Sequence, residues 1–292
     1  MKIGAIAPWF GGKRTLAPRI VEALGPHRAY WEPFCGSMAV LMAKRPCSME
    51  TVNDLHGDLV NLARVVQDPK LGPALYRHLR RVLAAQETLL ESRARLGQPA
   101  DVEGPNLWRA ADYFVNSWLS MNGTAGSLGA GEATSGRLSR RGIARRFSSA
   151  GGAPAVRFAA AVASIPAWRE RLRRVFVLRS CGIELCERIE DRRGTVIYAD
   201  PPYLVKGETY THDFAPDDHR RLAEALRRFR RTRAVVSYYA HPDLESLYPG
   251  WEVVRLDATK YLVNAGKQVP GRKATAPEVL LINSRSPVTL FA

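Results

Sequence analysis

Seven short apolar runs alternate with helical patterns along this chain, and this alternation constrains the fold more than any other feature. Each run has the length of a strand, and the intervals carry apolar residues at helical spacing. Such alternation is typical of an α/β sheet with helices packed on it. The predicted strands are Ala29–Glu32, Glu50–Asn53, Arg174–Arg179, Thr195–Ala199, Ala234–Tyr238, Trp251–Leu256 and Glu278–Ile282.

The interval between the second and third predicted strands has a different character. Helical periodicity runs from Pro73 to Arg95 and again from Trp108 to Met121, and a segment rich in Arg, Gly and Ser follows. We therefore predict a mainly helical domain inserted into the α/β domain. The predicted bounds are residues 70–165 for the insertion, and residues 1–69 and 166–292 for the α/β domain.

The basic residues of the chain are unevenly placed. The sequence has 43 basic and 28 acidic residues, a formal net charge of +15, and 35 of the basic residues are Arg. Arg presents a planar fork of donors that suits phosphates and base edges. No acidic residue occurs from Ala133 to Arg169. We interpret this stretch as a nucleic-acid contact, with a solvated basic loop as the alternative. The candidate DNA-binding residues are Arg137, Arg140, Arg141, Arg145 and Arg146.

Composition and pattern argue against several other classes of protein. With 46% hydrophobic and 24% charged residues, the chain lies in the globular range. The longest nearly apolar stretch, Phe158–Trp168, is too short for a bilayer, and the N-terminal apolar run is too short for a signal peptide. The four cysteines form no C-x-x-C pair and no His cluster accompanies them, so we predict no metal site. We expect a cytoplasmic protein with reduced thiols.

A glycine turn follows the first predicted strand. Gly36 lies between this strand and a helical run, where the missing side chain lets the backbone approach a ligand. Asp54 stands 18 residues further on, at the end of the next strand. That is near the spacing at which an acid reaches ribose hydroxyls in dinucleotide-type folds. Each feature alone is also typical of a structural turn or helix cap. Together they favour a nucleoside-containing cofactor.

The fourth predicted strand leads directly into Asp200-Pro201-Pro202-Tyr203, the most specific motif in the chain. Two prolines stiffen a loop at the carboxyl end of a strand, where α/β folds bind ligands. A carboxylate and a fixed proline carbonyl can accept both hydrogens of a planar exocyclic amine, and Tyr203 offers a ring for base stacking. The structural alternative is a rigid turn in which Asp200 caps the next segment. We predict Asp200, Pro201, Pro202 and Tyr203 as catalytic residues.

With these motifs the sequence resembles the amino-methylating DNA methyltransferases, most closely the DNA adenine methyltransferase family. The inserted segment matches that family by position only, and Met38 is a departure, because the family often has a second glycine there. The matching segments, in the family's order, are Trp9-Phe10-Gly11-Gly12-Lys13, Glu32-Pro33-Phe34-Cys35-Gly36, Asn53-Asp54 with Asp58-Leu59, and Asp200-Pro201-Pro202-Tyr203.

The resemblance implies an S-adenosylmethionine-dependent enzyme with a seven-stranded, doubly wound, Rossmann-like methyltransferase sheet. It also implies that the insertion recognises the target and that Asp200 to Tyr203 hold a flipped-out base. We expect N6 of adenine as the methyl acceptor, because Asp at the first clamp position resembles the adenine enzymes. The cofactor-binding residues implied are Trp9, Lys13, Glu32, Pro33, Phe34, Gly36, Asp54 and Asp200.

Other functions remain open from the sequence. The same clamp can serve N4 of cytosine, because both targets are exocyclic aromatic amines, and the chemistry also permits RNA as substrate. A catalytically inactive DNA-binding protein on the same fold is a further alternative. As partner we expect double-stranded DNA, with no membrane and no metal, and we expect a monomer or weak dimer.

Overall fold

The computed structural model describes residues 4–9, 12–99, 104–120, 153–204, 214–259 and 275–283. All seven predicted strands are confirmed, with ends that differ by no more than three residues from those expected. The strands are β1 (Ala29–Glu32), β2 (Met49–Asn53), β3 (Val175–Leu178), β4 (Thr195–Ala199), β5 (Arg233–Tyr239), β6 (Glu252–Thr259) and β7 (Thr275–Ile282).

The seven strands form one sheet in the order β3-β2-β1-β4-β5-β7-β6. Strands β1 to β5 pair in parallel, whereas β7 runs antiparallel between β5 and β6. The chain builds the sheet outward from β1 in one direction and from β4 in the other, so the strand order switches between these two strands. In open α/β sheets the crevice outside the carboxyl ends of the strands at such a switch point is the usual ligand site.

Helices pack on both faces of the sheet, so the predicted doubly wound α/β fold is confirmed. Successive side chains of a strand point to opposite faces. In β4, Val196 and Tyr198 enter one buried cluster, and Ile197 and Ala199 enter the other. The helices of the first cluster are α1 (Ala17–Leu24), α2 (Ala39–Ala43), α3 (Gly57–Gln67), α4 (Leu71–Leu79), α5 (Gln86–Leu96), α6 (Leu107–Leu119) and α7 (Pro154–Leu172), and those of the second are α8 (Gly182–Arg188), α9 (Pro216–Arg227) and α10 (Asp243–Leu247).

The helices after α3 share their core with the sheet. Phe114 of α6 lies 5.6 Å from Phe158 of α7 between ring centroids, and both belong to the cluster that covers the sheet. The predicted helix from Pro73 to Arg95 is wrong in one respect, because it is two helices, α4 and α5. Leu83, between them, is 77% exposed, so it does not continue the buried stripe that the periodicity suggested. The predicted boundary at residue 165 falls inside α7, and the division into two domains stays a prediction.

A buried ion-pair network ties α7 to the strand beside the switch point. The Glu50 carboxylate on β2 accepts hydrogen bonds from Lys44 Nζ and from the Arg171 guanidinium, which also donates to the Leu41 carbonyl oxygen at 3.1 Å. Burial alone would raise the pKa of Glu50, but these two cations outweigh it and lower the pKa. Paired charges of this kind are costly to break, because removing one partner leaves a buried charge.

Candidate active site

A pocket opens at the switch point, outside the carboxyl ends of β1, β2 and β4. It is lined by residues at the ends of these strands, and its cavity volume is about 220 Å³. Every residue that the resemblance implies for the cofactor lines this pocket, namely Trp9, Lys13, Glu32, Pro33, Phe34, Gly36, Asp54 and Asp200.

The glycine turn after β1 is held by the acid after β2. Gly36 has a left-handed φ of 44°, which glycine adopts without steric cost, and its backbone N–H donates to Asp54 Oδ2 at 2.8 Å. The backbone N–H of His56 donates to Asp54 Oδ1 at 2.9 Å. A Cβ on Gly36 would lie 3.0 Å from Nε1 of Trp9, so only glycine lets the indole lie this close to the turn. Both oxygens of Asp54 thus face the pocket end of the turn, held by backbone donors.

Met38 occupies a backbone conformation that glycine would normally supply. It caps α2 with φ 58° and ψ 30°, the one left-handed residue other than glycine among the described residues, and its side chain is fully buried. This is the position at which the resembling family often has a second glycine. The chain keeps the backbone geometry of the turn and offsets the strain by burying the Met38 side chain.

Asn53 is a site residue whose role the sequence did not predict. Its Nδ2 donates to the carbonyl oxygens of Pro33 and Ser180, both at 2.9 Å, and its Oδ1 accepts from the backbone N–H and the hydroxyl of Ser180. The Asn53 side chain thereby joins the loops that follow β1, β2 and β3. Asn53 lies in a segment that resembles the family, but the sequence predicts a role only for Asp54, because the contacts of Asn53 depend on loops that are distant in the sequence.

The loop after β3 forms a further wall of the pocket that sequence reasoning missed. A Cβ on Gly182 would lie 2.6 Å from Cε1 of Phe34, so the absence of a side chain lets the Phe34 ring lie against α8. Phe214 closes on the same ring at 6.0 Å between centroids. The sequence did contain one indication of this wall, because Cys181 and Gly182 follow a predicted strand and the carboxyl ends of parallel strands lie on one edge of the sheet. Lining residues outside the predicted set include Leu55, His56, Cys181, Gly182, Ile183 and Phe214.

Among the predicted catalytic residues, Asp200 and Pro202 line the pocket, whereas Pro201 and Tyr203 do not. Tyr203 is 7% exposed and lies behind Asp200. Its hydroxyl lies 3.3 Å from Asp200 Oδ1, and the hydroxyl of Ser237 donates to the same oxygen at 2.6 Å. The carboxylate is therefore fixed by two hydroxyl groups at the end of β4.

Lys13 also forms an ion pair with the Asp200 carboxylate. Its Nζ is 3.0 Å from Asp200 Oδ2 and 3.6 Å from Glu278 Oε1, and only 6% of its side chain is exposed. Burial alone would lower the pKa of Lys13, but the charges of Asp200 and Glu278 outweigh burial and raise it. The sequence predicted Lys13 for the cofactor, and the structure brings it to the predicted target-base clamp as well.

Glu32 is a buried acid at the end of β1, in the same pocket. Burial and the nearby charge of Asp200 together raise its pKa to about 8, against the hydrogen bond that Oε2 accepts from Tyr30 at 2.8 Å. At neutral pH this carboxyl group is therefore largely protonated, and it can donate a hydrogen bond into the pocket.

Several predicted features lie outside the described residues. These are Phe10 and Gly11, most of the loop Lys206–Phe214 that we expected to close over a base, and the five arginines of the basic stretch, Arg137, Arg140, Arg141, Arg145 and Arg146. Within the described part of the chain, no group of His, Cys, Asp and Glu side chains has a metal-binding arrangement. No helix in that part has both the length and the apolarity needed to cross a bilayer.

Comparison with known families identifies the segment that builds the first half of this pocket. Residues 9–114 match the family model of the D12 class N6 adenine-specific DNA methyltransferases. This segment is similar to that family. The match contains Trp9, Lys13, Gly36 and Asp54, whereas Asp200 lies beyond it. The similarity supports a methyltransferase in general terms, and with it the use of S-adenosylmethionine.

A solved structure is also similar to this chain. It is a proposed methyltransferase from Thermoplasma acidophilum, 15% identical, with a TM-score of 0.22. The similarity covers 42% of this chain and 52% of the other, so the chain spans about half the length of that structure.

Proposed function

We propose that this chain transfers a methyl group from S-adenosylmethionine to the N6 amine of a flipped-out adenine in double-stranded DNA. The observation that carries the proposal is the joint lining of one pocket by two sets of residues. Gly36 and Asp54 come from the segment that matches the adenine methyltransferase family, and Asp200 and Pro202 come from the motif 146 residues beyond Asp54.

The first wall of the pocket suits the cofactor. Asp54 would accept from the ribose hydroxyls, because its carboxylate lines the pocket and is oriented by two backbone donors. The turn at Gly36 lets backbone approach the ligand, and the rings of Trp9 and Phe34 supply apolar walls. S-adenosylmethionine supplies a methyl group activated by attachment to a sulfonium.

The second wall suits the methyl acceptor. An aromatic amine is a weak nucleophile because its lone pair is delocalised into the ring. Asp200 would accept an N–H hydrogen of the amine, which draws the lone pair out of conjugation and stabilises positive charge as it develops on nitrogen. Asp200 Oδ1 accepts from the Ser237 hydroxyl and lies beside the Tyr203 hydroxyl, so Oδ2 is the oxygen proposed to accept from the amine.

Orientation is the remaining contribution of the protein. Asp200 is held by Ser237, Tyr203 and Lys13, so its oxygens keep one direction while the amine and the methyl group are aligned. The methylated amine then loses one proton to water, and Asp200 need not remove it before attack. The base leaves the DNA stack because its amine is not accessible in the duplex. The predicted stacking role of Tyr203 does not fit the structure, because its ring is buried against Lys13 and Tyr239.

The choice of adenine and duplex DNA rests on the family match and on charge. Asp200 together with the family match favours adenine over N4 of cytosine. The acid-free stretch with its five candidate arginines would neutralise phosphates of the duplex.

The proposal is tested by equilibrium binding of radiolabelled S-adenosylmethionine, followed by transfer of the label to duplex DNA. We expect saturable binding and label in DNA that depends on time and enzyme. An inactive DNA-binding protein would bind DNA without binding the cofactor, and that result would overturn the proposal. Label recovered in RNA alone, with none in duplex DNA, would overturn the choice of substrate.

A further inference from the structure

Glu278 on β7 lies beside the proposed clamp, although no predicted motif includes it. Its Oε1 accepts a hydrogen bond from the Tyr203 hydroxyl at 3.2 Å and lies 3.6 Å from Lys13 Nζ. The side chain is 6% exposed, and Oε2 has no hydrogen-bond partner among the described residues. Burying a carboxylate costs free energy unless its contacts offset the loss of water. A functional reason for the burial of Glu278 is therefore expected.

The contacts of Asp200 suggest that reason. A carboxylate oxygen accepts about two hydrogen bonds. Oδ1 already faces the hydroxyls of Ser237 and Tyr203, and Oδ2 faces Lys13 Nζ at 3.0 Å. One acceptor position on Oδ2 therefore remains for the target amine, and it stays open only while Lys13 and Tyr203 keep their present places.

Glu278 is the second partner of both groups that crowd Asp200. The Lys13 ammonium lies between the two carboxylates and over the Tyr203 ring, 5.0 Å from its centroid. Tyr203 directs its hydroxyl toward both acids and is braced edge-to-face by Tyr239 at 4.4 Å. The pKa of Glu278 is raised, because burial and the charge of Asp200 outweigh the lowering by Lys13 and Tyr203. Without this second acid, the contacts that hold Lys13 Nζ and the Tyr203 hydroxyl on the side away from Asp200 would be lost.

We propose that Glu278 is a positioning residue that holds Lys13 and the Tyr203 hydroxyl so that one oxygen of Asp200 stays open to the target amine. This inference rests on the proposed function, because it concerns how the clamp presents Asp200. Glu278 itself touches neither the amine nor the methyl group in this account.

The test compares Glu278→Gln with a matched control, Glu252→Gln. Glu252 is an exposed acid on the neighbouring strand β6, so the control makes the same chemical change away from the site. Single-turnover rates at saturating cofactor and DNA should fall about tenfold or more in Glu278→Gln, with both dissociation constants within about threefold of wild type. Glu278→Asp keeps the negative charge on a side chain that is shorter by one methylene group, so it should recover part of the rate. The Glu252→Gln rate should equal that of wild type.

A second readout does not depend on turnover. NMR titration of lysine side-chain resonances, with the Lys13 signal assigned by its loss in Lys13→Arg, should report a lower Lys13 pKa in Glu278→Gln than in Glu252→Gln. If Glu278→Gln does not fold, Glu278→Asp carries both readouts.

The outcomes separate the two proposals. Wild-type protein that binds no cofactor and transfers no methyl group would overturn the proposed function and this inference with it. Active wild type, with equal rates in Glu278→Gln and Glu252→Gln or an unchanged Lys13 pKa, would overturn the inference alone. A rate loss explained entirely by weaker cofactor binding would also contradict positioning of Asp200.

Discussion

The two walls of the pocket are built in different ways. The wall at Gly36 and Asp54 joins the ends of two neighbouring strands that follow each other in the chain, and backbone N–H groups make its principal contacts. The wall at Asp200 instead gathers side chains from four distant segments, with Lys13, Ser237 and Glu278 around the carboxylate and its tyrosine. A binding surface can thus rest on local turns, whereas the proposed reacting group is fixed by long-range topology.

Removing the central group of the second wall should have the largest effect. Asp200→Ala should lower the single-turnover rate of methyl transfer by about 100-fold or more, because the proposed acceptor for the amine is lost. DNA binding should stay within a few fold. The exposed Asp243→Ala serves as the control. Single-turnover rates above a tenth of the wild-type rate would contradict the proposal that Asp200 accepts a hydrogen bond from the target amine.

The first wall should respond in affinity rather than in rate. Asp54→Ala should weaken S-adenosylmethionine binding by roughly 2 to 3 kcal/mol, because charged hydrogen bonds to the ribose are lost. Isothermal calorimetry measures the change, and DNA affinity provides the internal control. An unchanged dissociation constant for the cofactor would contradict the assignment of this wall.

Glu32 lies between the walls and should make stability depend on pH. Its folded-state pKa of about 8 exceeds the ordinary value of 4.5, so the folded protein keeps a proton that the unfolded chain releases. The free energy of unfolding should therefore fall as pH rises from about 4.5 to about 8, by up to about 1.4 kcal/mol per pH unit. Urea unfolding of wild type and Glu32→Gln at pH 5 and 8 tests this. Parallel pH dependences in the two proteins would refute it.

The basic stretch is the region proposed to contact DNA, in addition to the two walls of the pocket. Changing Arg140 and Arg141 to Ala should flatten the slope of log affinity against log salt by up to about 2, if both contact phosphates. The matched control changes Arg230 and Arg231, an exposed pair before β5, at the edge of the sheet opposite the pocket. Equal slopes in the two double variants would show that Arg140 and Arg141 do not contact phosphates, as expected for a solvated basic loop.

The first wall could be predicted from the sequence for a physical reason. Gly36 and Asp54 each follow a strand with strong apolar character, and adjacent parallel strands bring their ends together. The strain at Met38 could not be predicted in the same way, because a buried apolar residue gives no sign of a left-handed backbone. The break between α4 and α5 was missed because Leu83 continues an apolar period while facing solvent.

The second wall could be predicted only at Asp200 and its motif. Ser237 and Glu278 are single polar residues in apolar strands, and their neighbours depend on strand order. Strand β7 inserts between β5 and β6 against the order of the chain, and this brings Glu278 opposite Tyr239. No local pattern encodes that pairing, so the carboxylate beside Lys13 emerged only from the fold.

The central claim is that the two walls together methylate N6 of adenine in duplex DNA. Duplex DNA treated with the protein and S-adenosylmethionine can be digested to nucleosides and analysed by mass spectrometry. The account predicts N6-methyl-deoxyadenosine, present with wild type and absent with Asp200→Ala. N4-methyl-deoxycytidine as the product, or no methylated nucleoside at all, would contradict it.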